Sequence, residues 1–238
     1  MSTDNLMTAP EPAHSESEEV LAGEALAAAY ARMAHDFEVR PVDHALRALD
    51  VAGSTLLLAT LWPVLAGAMA AVYLSGGSPV VYRGARVGRA GRLFWMYKLR
   101  TLRPGAEERL APYLGEELTR LTERELTRAG RVLRHTKLDE LPQLWNVLRG
   151  DMSLVGPRPI RPLFFVGLCE EIPAYWQRLV VRPGITGLAQ LRLSREMTWA
   201  EKLVHDLEYI ADRSVGLYLA VLGQTALLVA RRVISHAG

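Results

Sequence analysis

The chain has 238 residues, 50% of them hydrophobic, and a formal net charge of +2. This length is enough for one domain with a well-buried core and an appended segment. A single cysteine, Cys169, excludes an internal disulfide, and the six histidines show no spacing typical of a zinc site. The sequence also contains neither a P-loop nor a GxGxxG nucleotide-binding motif.

The charges divide the chain into two parts. Residues 1–40 hold eight acidic and two basic residues, whereas residues 41–238 hold 18 acidic and 26 basic residues. The acidic, proline-containing start predicts a disordered tail over 1–40, in which only the alanine-rich stretch Leu21–Arg32 has a helical composition. We therefore expect the folded domain over 41–238, and this domain is the basic part of the protein.

A long apolar segment, Val51–Leu74, contains no charged residue over 24 positions. It exceeds the ~20 residues with which a helix crosses a bilayer. A simple crossing is one interpretation, and a buried helix of a soluble protein is another. However, Pro63 removes a backbone donor near the middle, and arginines flank both ends, which favours cytoplasmic placement of both. These features argue against a simple crossing, and together with the family resemblance given below they favour a re-entrant helix–break–helix over 51–74 with the break at Pro63, preceded by a helical lead, Val42–Asp50.

The remaining patterns predict an α+β fold that is mostly helical and has one small β-hairpin. The β-like runs Val80–Tyr82 and Leu93–Tyr97 are separated by three glycines, as in a hairpin. The surrounding stretch, Arg83–Arg103, holds seven basic residues and no acid. A rigid loop is expected over Gly156–Pro162 and a turn over Arg182–Gly187. Helical patterns cover Leu110–Leu133, Leu141–Leu148, Leu163–Glu171, Trp199–Tyr209 and Val215–Val229, the last as a core or an interfacial helix.

The segment Lys137–Pro159 carries two adjacent carboxylates, Asp139 and Glu140, before a helical apolar pattern. Two capping arrangements fit: Thr136 as the N-cap with Asp139 three residues on, or Asp139 itself as the N-cap. Acids are common at helix starts for structural reasons alone, because they interact favourably with the helix dipole. The same position also suits phosphate chemistry, since a carboxylate there can act as a nucleophile or a metal ligand.

Several basic residues are candidates for binding phosphate. Arg158 lies between two prolines, Arg182 precedes a Pro-Gly turn, and Arg134 lies five residues before Asp139. A guanidinium group binds phosphate oxygens through a bidentate fork, so arginines on rigid loops suit a diphosphate. Taken singly, each arginine is explained as well by a stiff surface loop. The alternating cations of Tyr97–Thr101 are likewise explained by a half-exposed strand.

Taken together and in this order, these features resemble the bacterial sugar transferases, the monotopic polyprenyl-phosphate phosphoglycosyl transferases. Two departures stand out: Trp62 precedes Pro63 where the family usually has serine, and Gly187–Ser194 differs from the usual family motif, so specificity is expected to differ. The resemblance covers roughly 45–230, and it rests on the apolar segment with its proline, Tyr97–Thr101, Arg134, Lys137–Pro159, Arg182–Gly187, Ala189–Gln190, and Asp206 with Tyr209.

The resemblance implies an enzyme that uses Mg²⁺ to transfer a sugar phosphate from a UDP-sugar to a polyprenyl phosphate, with release of UMP. It implies Asp139 as nucleophile and metal ligand, and Glu140 as its partner. The implied location is the cytoplasmic face of the bacterial inner membrane, in contact with membrane lipid, and a homo-oligomer is compatible with it. The implied substrate-binding residues are Lys98, Arg100, Arg134, Arg158, Arg182 and Asp206.

Two other functions are alternatives at this point. The first is a membrane-bound protein that binds a nucleotide sugar or a lipid but catalyses nothing, which the intact Asp-Glu pair disfavours. The second is a membrane-tethered nucleic-acid binder that uses Arg83–Arg103. No recognisable nucleic-acid-reading module accompanies this basic stretch, so we expect no nucleic-acid partner.

Overall fold

The computed structural model describes residues 39–110, 115–192 and 197–237, with the backbone alone described at 107–108, 115–119 and 232–237. The predicted disordered tail lies almost wholly outside the described residues. Within them the protein is mostly helical and contains a small antiparallel hairpin, as predicted. A feature that the sequence did not predict is a second, parallel pair of short strands.

The first helix, α1 (Pro41–Gly76), runs for 36 residues. Pro41 occupies the first turn, where its missing N–H costs nothing, and the Asp43 carboxylate accepts a hydrogen bond from the Arg40 N–H at 2.9 Å. The predicted lead and the apolar segment are thus one helix. Pro63 lies inside it without interrupting the helical assignment, so the predicted break is not seen in the secondary structure. By length and composition this helix is long and apolar enough to cross a membrane.

The predicted hairpin is confirmed and is longer than expected. Strands β1 (Val81–Val87) and β2 (Leu93–Leu99) pair antiparallel, from Val81 opposite Leu99 to Val87 opposite Leu93. A 3₁₀ turn, Arg89–Gly91, connects them. The glycines that separate the two apolar runs therefore mark the hairpin end and part of β1.

The prediction of one helix over Leu110–Leu133 is wrong. The chain instead forms α2 (Ala106–Leu110), α3 (Gly115–Arg124) and α4 (Arg128–Thr136). The interruption before α4 has a local cause, because the Thr127 hydroxyl accepts a hydrogen bond from the Gly130 N–H at 2.9 Å and so starts a new helix. Residues 111–114 lie outside the described residues.

The helices predicted over Leu141–Leu148, Leu163–Glu171 and Trp199–Tyr209 are confirmed with shifts of at most three residues at their ends. The helix predicted over Val215–Val229 is confirmed but continues to Ala237, and the stretch Leu21–Arg32 lies outside the described residues. Two strands of three residues each were missed: residues 153–155 lie just before the expected loop, where no element was predicted, and residues 184–186 lie within the expected turn. They pair in parallel, Ser153 with Gly184 and Val155 with Thr186. In chain order the elements are α5 (Gln143–Arg149), β3 (Ser153–Val155), α6 (Pro162–Glu171), the 3₁₀ segment Pro173–Val180, β4 (Gly184–Thr186), α7 (Leu188–Arg192), α8 (Trp199–Asp212) and α9 (Val215–Ala237).

The largest apolar cluster joins α1, α5, β3 and α9, and it includes Leu46, Val147 and Tyr218. Only one face of helix α9 packs into this cluster, since Tyr218 is fully buried while Leu219 and Leu227 are exposed. A second cluster around Phe165 lies between α6, the 3₁₀ segment and α8. Burial of these side chains fixes the loops between them, and those loops carry the site described below.

Both ends of α1 contact the same folded body. Near its start, the Arg47 guanidinium donates hydrogen bonds to the carbonyls of Val147 and Leu148 at 2.6 and 2.9 Å. At its end, the Arg100 guanidinium donates to the carbonyls of Gly76 and Gly77 at 2.6 and 2.8 Å. The middle of the helix instead exposes large apolar side chains, among them Leu56, Leu57, Trp62 and Val64.

Candidate active site

A compact turn between α4 and α5 presents the two adjacent carboxylates. Helix α4 ends at Thr136, Lys137 adopts the left-handed conformation with φ of 64°, and residues 138–140 form one 3₁₀ turn. Both predicted capping arrangements are wrong, because the Thr136 hydroxyl donates back to the Val132 carbonyl and Pro142, not Asp139, precedes α5. The turn buries the carboxylates, which are only 6% (Asp139) and 9% (Glu140) exposed.

Glu140 lies at the centre of a cluster of cations. Its Oε1 lies 2.9 Å from the Lys98 ammonium, 3.7 Å from that of Lys137 and 3.7 Å from the Arg158 guanidinium. Burial by itself raises the pKa of Glu140, but the charges of Lys98, Arg158 and Lys137 outweigh it and lower the pKa to about 2. Glu140 is therefore ionised near neutral pH, and its carboxylate lies within 3.7 Å of three cations.

Lys98 comes from β2 and reaches across to the turn. Burial lowers the pKa of this ammonium, whereas the nearby charge of Glu140 raises it and that of Arg158 lowers it. The strand is held in place by Asn146 of α5, whose side-chain oxygen accepts from the Tyr97 N–H at 3.1 Å and whose amide donates to the Trp95 carbonyl at 2.7 Å. The strand and α5 thus fix the Lys98–Glu140 pair from both sides.

Asp139 differs from its neighbour because it is buried and unpaired. Its Oδ1 has no hydrogen-bond partner among the described residues. Burial, followed by the charge of Glu140, raises the pKa of Asp139, and the charges of Lys98, Lys137 and Arg134 oppose that rise. A desolvated carboxylate with a free oxygen, kept near cations, is a suitable nucleophile toward phosphorus or a ligand for a hard cation.

The Arg158 side chain is 51% exposed, and the loop that carries it is held by a hydrogen bond on its buried side. The Arg158 carbonyl accepts a hydrogen bond from the Arg178 guanidinium at 2.9 Å. Arg178 in turn forms a salt bridge of 2.7 Å with Asp206, and both side chains are only 5% exposed. Asp206 therefore lies behind the site and acts on the Arg158 loop through Arg178.

Arg178 and Lys137 were missed by the sequence analysis. Arg178 carried a usable signal, because it is followed directly by three apolar residues and a buried arginine is usually paired with an acid, and Asp206 lies among the apolar positions of a predicted helix. No such sequence signal existed for Lys137, because its ammonium approaches Glu140 only through the left-handed conformation of its backbone.

Among the described residues, three of the predicted substrate-binding arginines form no ion pair with either carboxylate. Arg134 is exposed on the last turn of α4 and influences Asp139 only through its charge. Arg100 is buried at the end of α1, where it binds two carbonyls. Arg182 donates to the Gly150 carbonyl at 2.8 Å and lines a different pocket. Pro63 lies in the exposed middle of α1.

The residues present fit a magnesium ion that is completed by substrate, but not a protein-only cage. Among the described residues no group of three or more histidine, cysteine, aspartate or glutamate side chains lies close enough to hold a metal. The free Oδ1 of Asp139 is available, whereas Glu140 is occupied by cations. Mg²⁺ is commonly bound through one or two carboxylates together with substrate phosphates.

Known proteins resemble this chain over most of its length. It is 38% identical over 191 residues to the UDP-glucose:undecaprenyl-phosphate glucose-1-phosphate transferase of Caulobacter vibrioides, which covers 77% of the chain and 69% of that protein. It is 40% identical over 184 residues to the undecaprenyl-phosphate glucose phosphotransferase of Komagataeibacter xylinus, covering 74% of the chain and 34% of that protein. It is 35% identical over 180 residues to the uncharacterized sugar transferase EpsL of Bacillus subtilis, covering 74% of the chain and 82% of that protein.

The chain thus spans about a third of the Komagataeibacter protein but most of the Bacillus one. The matched region contains every element from α1 into α9, including the carboxylate turn and the Arg158 loop. The family model for bacterial sugar transferases matches residues 42–232. This chain belongs to the bacterial sugar transferase family.

Proposed function

We propose that the protein transfers a sugar 1-phosphate from a UDP-sugar to undecaprenyl phosphate or a similar polyprenyl phosphate, and that UMP is released. The observation that carries this proposal is the unpaired, buried Asp139 beside a Glu140 that is held ionised by three cations. The names of the relatives support it, because two of them are undecaprenyl-phosphate transferases for glucose phosphate. A UDP-sugar and a polyprenyl phosphate are therefore the proposed substrates.

In the first step, an Asp139 carboxylate oxygen attacks the phosphorus that carries the sugar. The bond from that phosphorus to the oxygen bridging it to UMP breaks, and UMP leaves with that oxygen. The product on the enzyme is an aspartyl phosphosugar. The attack requires an ionised Asp139, and the neighbouring charges of Lys98, Lys137 and Arg134 oppose the effect of burial on its pKa.

In the second step, an oxygen of the polyprenyl phosphate attacks the same phosphorus. The bond to Asp139 breaks, the carboxylate is restored, and a polyprenyl diphosphate sugar leaves. Both substrates are anions, so Lys98 and Arg158 stabilise charge that develops on the phosphoryl oxygens. Mg²⁺ bound to Asp139 and to substrate phosphates would supply further neutralisation of that charge.

The contacts of α1 support the proposed monotopic topology. A helix that crossed the bilayer would carry its ends on opposite sides of about 30 Å of hydrocarbon. Arg47 and Gly76, however, contact one body that contains buried polar and charged groups, and such a body is too costly to place in hydrocarbon. These contacts support a monotopic protein whose α1 dips into one leaflet with its exposed apolar middle around Pro63.

The proposed location is the cytoplasmic face of the bacterial inner membrane. On that face one active site meets both a soluble UDP-sugar and a lipid-bound acceptor. The arginines around both ends of the apolar stretch are the type of charge that favours the cytoplasmic side.

Release of UMP tests the proposed function. Purified full-length protein in detergent is incubated with UDP-glucose, UDP-galactose or UDP-N-acetylgalactosamine, with and without undecaprenyl phosphate. We expect multiple turnovers with at least one UDP-sugar only when the acceptor and Mg²⁺ are present, and none in excess EDTA. Binding of UDP-sugar without any UMP release would instead indicate the non-catalytic alternative. Full turnover in excess EDTA would contradict the proposed requirement for Mg²⁺.

A further inference from the structure

A second pocket, which we call the arginine pocket, lies at the N-terminal end of α1. It is a cavity of about 40 Å³, open to solvent on one side, between α1, the end of the hairpin, the segment before β4 and the end of α8. Its charged lining consists of Arg47, Arg89, Arg182, Arg213, Asp43 and Asp50. The pocket shares no residue with the cluster around Asp139 and Glu140, so it is a separate feature of the surface.

Both acids of the arginine pocket already accept hydrogen bonds from other groups. The Asp43 carboxylate binds the Arg213 guanidinium through two contacts of 2.6 and 3.1 Å. Asp50 is buried, and its Oδ1 accepts from the Ser153 hydroxyl, the Leu154 N–H and the Tyr218 hydroxyl at 2.7 to 2.9 Å. Three arginines, Arg47, Arg89 and Arg182, therefore face the pocket without a carboxylate partner.

The free donors of the pocket come from Arg89 and Arg182. Arg182 uses only its Nε, on the Gly150 carbonyl at 2.8 Å, and the Arg89 guanidinium makes no hydrogen bond or ion pair with the residues that the structure describes. Arg47, Arg89 and Arg182 line the same small cavity, so their positive charges lie close together. Burial and the charges of Arg47 and Arg89 lower the pKa of Arg182, and the charges of Asp50 and Asp43 oppose this. An anion between the three arginines would remove their mutual repulsion and would accept from their free N–H groups.

The depth of the pocket identifies the source of the anion. Asp50, in its lining, is followed directly by Val51, the first of the 24 uncharged residues of α1, and Val51 is exposed. On the topology proposed above, on which this argument rests, the pocket lies where the helix leaves the hydrocarbon and enters the headgroup layer. The anions concentrated at that depth are lipid phosphates.

We propose that the arginine pocket binds the phosphate of an anionic phospholipid headgroup, separately from the substrates. The bound headgroup bridges the hairpin end to the segment before β4 through Arg89 and Arg182. It thereby holds the body at a fixed depth on the membrane, with the carboxylate site at the height of the acceptor phosphate.

The test titrates full-length protein in a non-ionic detergent with dihexanoyl phosphatidylglycerol, whose short chains limit insertion, and follows binding calorimetrically. Arg89→Gln removes a free guanidinium that supports no other contact, so the fold should be retained. Arg92→Gln is the matched control, because Arg92 is exposed, lies three residues away and is not part of the pocket. We expect Arg89→Gln to weaken binding about fivefold and Arg92→Gln to leave it unchanged.

Three further results would overturn the proposal. Equal effects of Arg89→Gln and Arg92→Gln would show that only general surface charge matters. Inorganic phosphate that binds as tightly as the lipid, with the same dependence on Arg89, would identify a site for free phosphate. Displacement of the lipid by UDP-glucose would assign the pocket to the nucleotide sugar. None of these readouts depends on turnover, so a failure of the proposed transferase activity would be seen separately.

Discussion

Two buried acid–base groups in this protein differ in their balance of charge. Behind the Arg158 loop, Asp206 and Arg178 form a one-to-one pair at 2.7 Å, with both side chains 5% exposed. At the carboxylate turn, three cations surround Glu140 and the adjacent Asp139 keeps an oxygen without a partner. In the first group the two charges balance, and the pair supports the Arg158 loop. The second group contains a carboxylate without a partner and has more cations than carboxylates. This is the arrangement expected of a site that is completed by an anionic substrate.

The first prediction tests the role of the unpaired carboxylate by removing the negative charge of Asp139. Asp139→Asn keeps the shape of the side chain but removes the attacking oxygen anion, so we expect UMP release to fall roughly 1,000-fold or more. Because Asp139 is desolvated, thermal stability should be unchanged or slightly higher. Asp212→Asn, at an exposed position, is the control and should retain full turnover. Normal turnover of a folded Asp139→Asn variant would make the carboxylate turn purely structural.

The second prediction concerns the balanced pair. Asp206→Ala leaves the Arg178 guanidinium buried without its partner, so we expect a loss of about 3–5 kcal/mol of unfolding free energy. The matched control is Glu208→Ala on the same helix, whose exposed pair with Arg192 should contribute less than about 1 kcal/mol. Denaturant unfolding in detergent measures both. Similar stabilities of the two variants would show that the buried pair does not hold the loop.

The third prediction uses pH to measure how strongly the cations hold Glu140. Its pKa of about 2 in the folded protein lies below the ordinary value of 4.5, so its stabilising contribution is complete above about pH 4.5 and is lost as pH falls toward 2. The difference in unfolding free energy between wild type and Glu140→Gln should therefore shrink by roughly 3 kcal/mol over that range. A difference that stays constant with pH would show that the cations do not depress this pKa.

The smallest effect is expected from a change of cation geometry. Arg158→Lys keeps the positive charge but loses the planar fork, so we expect turnover to fall about tenfold while the fold is retained. Arg161→Lys is the control, because Arg161 is exposed three residues farther along the same loop. If Arg158→Ala turned over normally, this arginine would be only part of a stiff loop.

Local patterns were sufficient to predict the hairpin and helices such as α6 and α8. Alternating or periodic apolar residues mark their buried faces, and Gly or Pro residues lie near their ends. The strands β3 and β4 were missed because each is three residues long and pairs across 30 residues of chain, which leaves no local periodicity. The division of Leu110–Leu133 depends on one cap at Thr127 in a stretch of strong helix formers.

Within the candidate site, the family resemblance named the residues, but their arrangement could not be predicted. Asp139, Glu140, Lys98 and Arg158 were predicted together, and the structure brings the last three into contact around one carboxylate oxygen. The capping of the turn could not be predicted, because the left-handed Lys137 is set by packing and not by residue type. The surroundings of Asp206 and Arg100 likewise depend on tertiary contacts with Arg178 and with the end of α1.

The central claim is that Asp139 becomes covalently linked to the sugar phosphate. The most direct measurement is mass spectrometry of the intact enzyme, and of its peptides, after incubation with the preferred UDP-sugar in the absence of acceptor. We predict a mass increase of one sugar phosphate on the peptide containing Asp139, release of no more than one UMP per enzyme, and loss of the added mass when undecaprenyl phosphate is supplied. Turnover with acceptor but no added mass on Asp139 would contradict the account and would indicate direct transfer between the two substrates.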